Sequence, residues 1–216
     1  MLSIANTKIG EVLQNDSPIE IFRGLYGLEN RPVVVKVVSQ ETMGTSIERR
    51  FRLGAVIHAS LHHVGIVPQL ASGLVDDRPY TIEAFLPGGN LLNRLESGIS
   101  LQIGIKYIKD IADALHYLHT ERYVHGDVKP ENLLVGVNDQ INVVDFSTVR
   151  KQTAPPAEIF KQNSVLGTPE YMAPEVLNAG PDVRSDIYSL GVTFYRMLTG
   201  RLPFAAQTAA EIIAMH

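Results

Sequence analysis

The sequence predicts an α+β fold in which strands come first and helices follow. Three observations carry this. Residues 1–86 hold short β-branched or alternating runs separated by turn clusters. Residues 100–120 and 182–199 repeat apolar side chains at helical spacing. Between those stretches, Leu133–Val135 and residues 141–144 flank a turn at 136–140 that contains Asn138-Asp139, which is a hairpin signal. Strands that precede helices, rather than alternating with them, point to α+β.

Taken in order, residues 3–22 read as two strands joined at Gln14-Asn15-Asp16-Ser17-Pro18, with 19–23 alternating like a half-buried strand. Arg31–Val38 is a β-branched strand with one lysine, Lys36, inside it. Residues 45–61 are helical in period, with Ile47, Phe51, Ala55, Ile57 and His58 as candidate buried positions. Residues 66–74 and 79–86 give two more strands around Asp76-Asp77, and Leu86-Pro87-Gly88-Gly89-Asn90 reads as a linker. The helix over 100–120 carries Leu101, Ile105, Ile108, Ile111, Ala112, Leu115 and Leu118 on its apolar face, and Ser100 can cap it. The helix over 182–199 is rich in Ile187, Leu190, Val192, Phe194 and Leu198, reads as buried, and stops at Gly200. A last helix is expected over 208–215. The intervening stretch 147–166, with Pro155-Pro156, is long for a loop and expected to be functional or disordered.

Composition excludes several classes. At 216 residues the chain can bury one sizeable core or two small lobes. A hydrophobic content of 45% and a mean hydropathy of +0.05 fit a soluble protein, and a net charge of −4 argues against nucleic acid as a partner. There is no cysteine, so disulfides and thiolate metal sites are excluded. His116 and His119 share a helix face but lack further zinc ligands at useful spacing. No signal peptide and no run of 18 apolar residues is present, so a cytoplasmic protein without a membrane span is expected.

The chemistry gathers around the hairpin. The stretch Tyr123-Val124-His125-Gly126-Asp127-Val128-Lys129-Pro130-Glu131-Asn132 leads into its first strand, and its second strand ends at Asp145. The hairpin thus brings Asp127, Asn132 and Asp145 close together. Two carboxylates and a carboxamide make an all-oxygen set suited to a hard cation such as Mg2+.

Asp127-x-Lys129-x-x-Asn132 followed by Asp145-Phe146 resembles the active-site core of the protein kinase family. Residues 167–175, Gly-Thr-Pro-Glu-Tyr-Met-Ala-Pro-Glu, resemble the family's substrate-docking segment. Residues 186–192, Asp-Ile-Tyr-Ser-Leu-Gly-Val, resemble the start of the long helix that follows it. Three ordered motifs at family spacing are specific where one short match is not. The resemblance covers nearly the whole chain, tightly after about residue 100 and more loosely before it.

That resemblance implies a bilobal fold, one kinase domain in all. Residues 1–86 are expected to form an antiparallel sheet with one helix, and 87–216 a mainly helical, incomplete lobe. It implies ATP and Mg2+ as cofactors and a protein Ser/Thr hydroxyl as acceptor. Lys-Pro-Glu after the aspartate and Gly167-Thr168 resemble the Ser/Thr branch, and Tyr188, where Trp is common, resembles bacterial members. The catalytic positions are Asp127 and Lys129, and Asn132 and Asp145 hold the metal. Nucleotide contacts fall on Lys36, Ile21, Val34, Phe85, Leu134, Asn132 and Asp145.

Departures from the pattern concentrate in residues 1–86. The glycine-loop positions fall on Gln14, Asp16 and Ile19, none of them glycine. Val34 replaces a small residue against the adenine. The helix glutamate that pairs with the strand lysine falls on Gly54, and Glu48 lies about 120° round the helix from it, so the Lys–Glu pair is expected to be broken. Glu83 occupies the gatekeeper position, where Lys36 is its nearest partner. Further on, His125-Gly126-Asp127 lacks the arginine that receives an activation-loop phosphate, so switching through Thr153 or Ser164 is not expected. Asp145-Phe146-Ser147 replaces a glycine with serine. A pseudokinase, a regulatory or protein-binding module with weak or no catalysis, is the alternative. A small-molecule phosphotransferase is disfavoured by the docking segment. The family adds helices beyond the position of His216, so the apolar helix 182–199 is expected to need a further domain or partner, and Glu175 to lack its arginine.

Overall fold

The computed structural model of the chain describes residues 2–15, 17–153 and 168–216. Two compact units arise, Met1–His62 with Val67–Leu86, and His63–Ile66 with Pro87–His216. Asp16, Ser164 and Gly167 lie outside the described residues, as does most of the long loop.

The first unit is a five-stranded antiparallel sheet in the order β1-β2-β3-β5-β4, with one α-helix. The strands are β1 (Thr7–Gln14), β2 (Ile19–Tyr26), β3 (Arg31–Val38), β4 (Gln69–Val75) and β5 (Arg78–Ala84). Alternation along β3 sorts its side chains. Val33, Val35 and Val37 are fully buried and pack with Ile4, Val75 and Ile82 on one face. Each such valine contributes about 1.5–3 kcal/mol by leaving water. Val34 and Lys36 therefore lie on the other face. The β4–β5 turn at Asp76-Asp77 has both residues left-handed, at φ 48° and 61°, the conformation whose twist matches a two-residue hairpin.

Helix α1 (Ser46–Ser60) starts where the Thr45 hydroxyl accepts the Ile47 N–H, and it buries Phe51, Gly54, Ile57 and His58. Ile47 and Ala55 are only partly buried, because Gly54 takes the centre of the inward face.

The second unit holds α2 (Leu91–Glu96), α3 (Leu101–Thr120), β6 (Tyr123–Val124), the hairpin β7 (Leu133–Val135) and β8 (Ile141–Val143), β9 (Arg150–Lys151), α4 (Val176–Ala179), α5 (Val183–Thr199) and α6 (Ala209–Met215). Helix α2, not evident from periodicity, is capped by the Asn90 side chain on Asn93 N–H at 2.9 Å. The linker runs against β7, where Gly88 N–H donates to the Val135 carbonyl; a Cβ on Gly88 would lie 2.5 Å from that oxygen, so only glycine fits.

Ser100 caps α3 as expected, but the buried face is Gly104, Tyr107, Ile111, Ala114, Leu115 and Leu118. Leu101 and Ile105 are 59% and 47% exposed. The apolar arc of α3 is wider than the surface that α5 and β8 cover. Helix α5 begins in a capping box between Asp182 and Ser185 and ends at Gly200 with φ 74°. Its composition misleads about burial: Ile187 and Leu198 are 53% and 51% exposed, while Ser185, Asp186, Ser189 and Thr193 face inward. Among the described residues, no helix is long and apolar enough to cross a membrane.

Candidate active site

The anchor of the site is a carboxylate in the second unit. Asp186, on the first turn of α5, is 1% exposed and accepts three hydrogen bonds: His125 N–H at 2.9 Å, Gly126 N–H at 2.8 Å and His119 Nε2 at 2.8 Å. A buried carboxylate must be satisfied in this way, and these bonds fix the loop that leaves β6. His119 is thereby engaged and His116 is exposed, so the pair makes no zinc site. Gly126 has φ 80°, and Thr148 O would lie 3.4 Å from a Cβ there, so glycine serves the backbone at a position where the family has arginine.

His125 is fully buried and ties the loop to the end of β8. Its Nε2 bonds the Val144 carbonyl at 3.1 Å and its Nδ1 accepts the Asp127 N–H at 3.3 Å, which calls for the Nε2–H tautomer. The Phe146 ring meets it edge-on at 5.5 Å between centroids.

Four side chains then converge. Lys129 Nζ lies 2.8 Å from Asp127 Oδ2 and donates to Thr168 Oγ1 at 2.6 Å, and that hydroxyl donates to Asp127 Oδ1 at 3.0 Å. Asn132 Nδ2 donates to Asp127 O at 2.9 Å and to Oδ2 at 3.0 Å. Of the three residues that the hairpin reading gathers, Asp127 and Asn132 meet directly, and Lys129 joins them. Thr168 and Asp186 stood inside recognised motifs, but nothing in their spacing marks their roles.

The hairpin also sets Asp145. Val144 N–H donates to Asn132 O at 3.0 Å, extending the β7–β8 ladder by one step and leaving Asp145 just beyond it. Asp145 has φ 63°, and its carboxylate accepts the Ser147 N–H at 3.2 Å. The left-handed residue is thus the aspartate; Ser147 lies in a 3-10 turn and needs no glycine.

Among the described residues, no group of three or more His, Asp or Glu side chains surrounds a cation site. The donor set still suits Mg2+, which takes one or two carboxylates and completes its shell with water and phosphate. Both Asn132 amide hydrogens point to Asp127, so its Oδ1 turns the other way and makes no hydrogen bond among the described residues.

The docking segment is well held. Tyr171 accepts from Arg196 at its hydroxyl, its carbonyl accepts from Ser189, and burial pushes its phenol up to about 12. Glu175, expected to lack its arginine, accepts the Ser185 hydroxyl at 2.9 Å. Thr153 lies exposed after β9.

In the first unit, the strand register places Ile21, Lys36 and Thr81 in a row across the sheet, with Val34 opposite Glu83. Directly opposed residues share a face, so Ile21, Val34, Lys36 and Glu83 lie on the face away from the valine core. Phe85 follows β5, with the Arg23 guanidinium 4.3 Å from its ring centroid. In the second unit, Leu134 sits half-buried on β7 and bridges to Asn90.

Lys36 pairs with Glu83, the partner its gatekeeper position suggested, and not with a glutamate of α1. Lys36 Nζ is 2.8 Å from Glu83 Oε2, with side chains 17% and 8% exposed. The partner comes from β5 because a lysine two residues along the neighbouring strand is within reach of a glutamate. Glu48 is occupied elsewhere: it accepts from Gly44 N–H and Arg52 Nε, and these hold its carboxyl below the usual range.

A family model described as the protein kinase domain matches residues 20–216. An Aurora kinase of Dictyostelium discoideum is 33% identical over 184 residues, covering 83% of this chain and 47% of that protein. The serine/threonine-protein kinase PknL of Mycobacterium tuberculosis is 34% identical over 196 residues, covering 89% of this chain and 49% of its own length. A probable serine/threonine-protein kinase of Clostridium acetobutylicum is 31% identical over 222 residues, or 96% of this chain and 34% of that protein. The chain spans about half the length of these relatives, or less. With the family model matched from the second strand to the last residue, and relatives above 30% identity along most of the chain, it belongs to the protein kinase family.

Proposed function

We propose that residues 1–86 and 87–216 are the lobes of one serine/threonine protein kinase domain, which transfers the γ-phosphoryl group of ATP to a Ser or Thr hydroxyl of a protein. The observation that carries the proposal is the way Asp127 receives a hydroxyl: Oδ1 accepts from Thr168 Oγ1 at 3.0 Å while Oδ2 rests on Lys129. A substrate hydroxyl offered to the same carboxylate is oriented for attack. Its proton passes to Asp127 as the new O–P bond forms and the bond to the ADP oxygen breaks.

Each remaining residue has a task in this reading. Lys129 offsets the charge growing on the transferred group. Asn132 and Asp145 hold Mg2+, which supplies charge neutralisation at the β- and γ-phosphates. Lys36 contacts the α- and β-phosphates, and Ile21, Val34, Phe85 and Leu134 flank the base. The Ser/Thr assignment is supported by the bacterial relatives, whose names carry it. A cytoplasmic setting, where ATP and protein substrates are at hand, is part of the same proposal.

The test is transfer of labelled γ-phosphate from Mg-ATP to a Ser/Thr peptide library. Asp127→Asn should lower the rate by about a hundredfold or more. Equal transfer by parent and variant would remove Asp127 from the chemistry. Tight Mg-ATP binding with no transfer by the parent would favour the non-catalytic alternative.

A further inference from the structure

We infer that Glu83 is the positioning residue for Lys36, so that the lysine is held by the sheet itself and not by helix α1. The inference rests on the proposed role of Lys36 in nucleotide binding and adds what keeps it in place.

Both residues belong to the middle of the ladder. On β3 and β5, Val34 pairs with Glu83 and Lys36 with Thr81. β3 is flanked by β2 and β5, and β5 by β3 and β4, so neither strand is an edge. The ion pair is a diagonal contact between strands whose spacing is fixed by main-chain hydrogen bonds. A carboxylate borne on a helix can be carried away when the helix shifts, whereas one borne on the adjacent strand moves with the lysine.

The glutamate is itself fixed. Its Oε2 takes the Lys36 ammonium at 2.8 Å, and its Oε1 takes the Thr81 hydroxyl at 3.3 Å. His58 Nδ1, from the buried face of α1, stands 4.0 Å from Oε1, and that ring is held in turn by its Nε2 against the Val67 carbonyl at 2.6 Å. Glu83 is only 6% exposed, and a carboxylate so buried requires a counter-charge. Gly54, where the helix glutamate is absent, lies one turn before His58 on the same face. The acidic group that meets the lysine thus stands on a strand and not on the helix. Control of the lysine through movement of α1, as in kinases whose Lys–Glu pair bridges strand and helix, has no acidic handle at this position.

The experiment measures two quantities on the whole chain: Mg-ATP affinity by calorimetry and the titration of the Lys36 ammonium by NMR of lysine-labelled protein. Glu83→Gln keeps the shape and removes the charge. It should weaken Mg-ATP binding by about tenfold to a hundredfold and move the Lys36 titration to lower pH. Glu83→Asp should recover part of both. If the parent binds Mg-ATP and Glu83→Gln binds it equally well, the inference is overturned while the kinase reading stands. If the Lys36 titration stays put in Glu83→Gln, the pairing itself is overturned. A parent that binds no Mg-ATP overturns the kinase reading, and the positioning role with it.

Discussion

Asp186 and His125 are joined across 61 residues of sequence by a hydrogen bond of 2.9 Å from a buried N–H to a buried carboxylate. The catalytic-type loop is therefore hung from the first turn of α5. Asp186→Asn keeps the size but points an amide N–H toward one of three donors. The expected cost is about 3 kcal/mol of stability, since a buried charge-assisted network is broken. Denaturant unfolding of variant and parent reads it directly, and a difference under about 0.5 kcal/mol would mean the anchor is dispensable.

Asp145→Asn tests the metal assignment cleanly. Asparagine tolerates the left-handed conformation that residue 145 adopts at φ 63°, so the backbone should be undisturbed. Mg2+-dependent ATP binding should fall at least about tenfold if Asp145 is the proposed ligand, because the charge that would hold the cation is gone. Unchanged affinity in the presence of Mg2+ would show that Asp145 is not a ligand.

What could be read in advance divides along local and long-range lines. Arg31–Val38 was legible because β-branching is a local signal, and the cap Ser100 because capping chemistry is local too. The meeting of Asp127 and Asn132 was legible in the loop and hairpin pattern, whereas the contact of Lys129 with Asp127 was not. Lys36 as the nearest partner of Glu83 was legible from position alone, whereas the diagonal contact across β3 and β5 that joins residues 47 apart in sequence needed the strand register. Thr168 reaches Asp127 from 41 residues away, and nothing in its spacing announces it. The exposure of Leu101, Ile105, Ile187 and Leu198 was likewise illegible, because an apolar arc does not reveal how much of it a neighbour will cover.

The Asp182 cap gives a pH signature. The Arg184 side chain, then the N–H groups of Arg184 and Ser185, hold its carboxyl below the usual 3.8, against a smaller opposing effect of burial. A depressed carboxyl stabilises the fold above its unfolded value, and the contribution is lost as pH falls through the folded value. Asp182→Ala should cost about 1 kcal/mol at neutral pH as the loss of an N-cap. The gap between parent and variant should then close below about pH 4. A gap of constant size down to pH 2 would exclude the carboxylate charge as its source.

Gly54→Glu puts the carboxylate familiar from kinase helices on the face of α1 whose His58 stands near Glu83. Position 54 is buried on the face of α1 that carries His58, whose Nδ1 is 4.0 Å from Glu83. Helix propensity alone favours replacing a glycine, by up to about 1 kcal/mol. Against that stand the desolvation of a second carboxylate and its repulsion from Glu83, together worth about 1–3 kcal/mol. Repulsion and desolvation should win, so the variant should be less stable than the parent and bind Mg-ATP no more tightly. The penalty should shrink in Gly54→Glu/Glu83→Gln, where one carboxylate remains for the lysine. Unfolding free energies of the parent, the two single variants and the double variant close the cycle. A Gly54→Glu protein more stable than the parent, or a double variant with no coupling between the sites, would show that position 54 does not approach the Lys36–Glu83 pair.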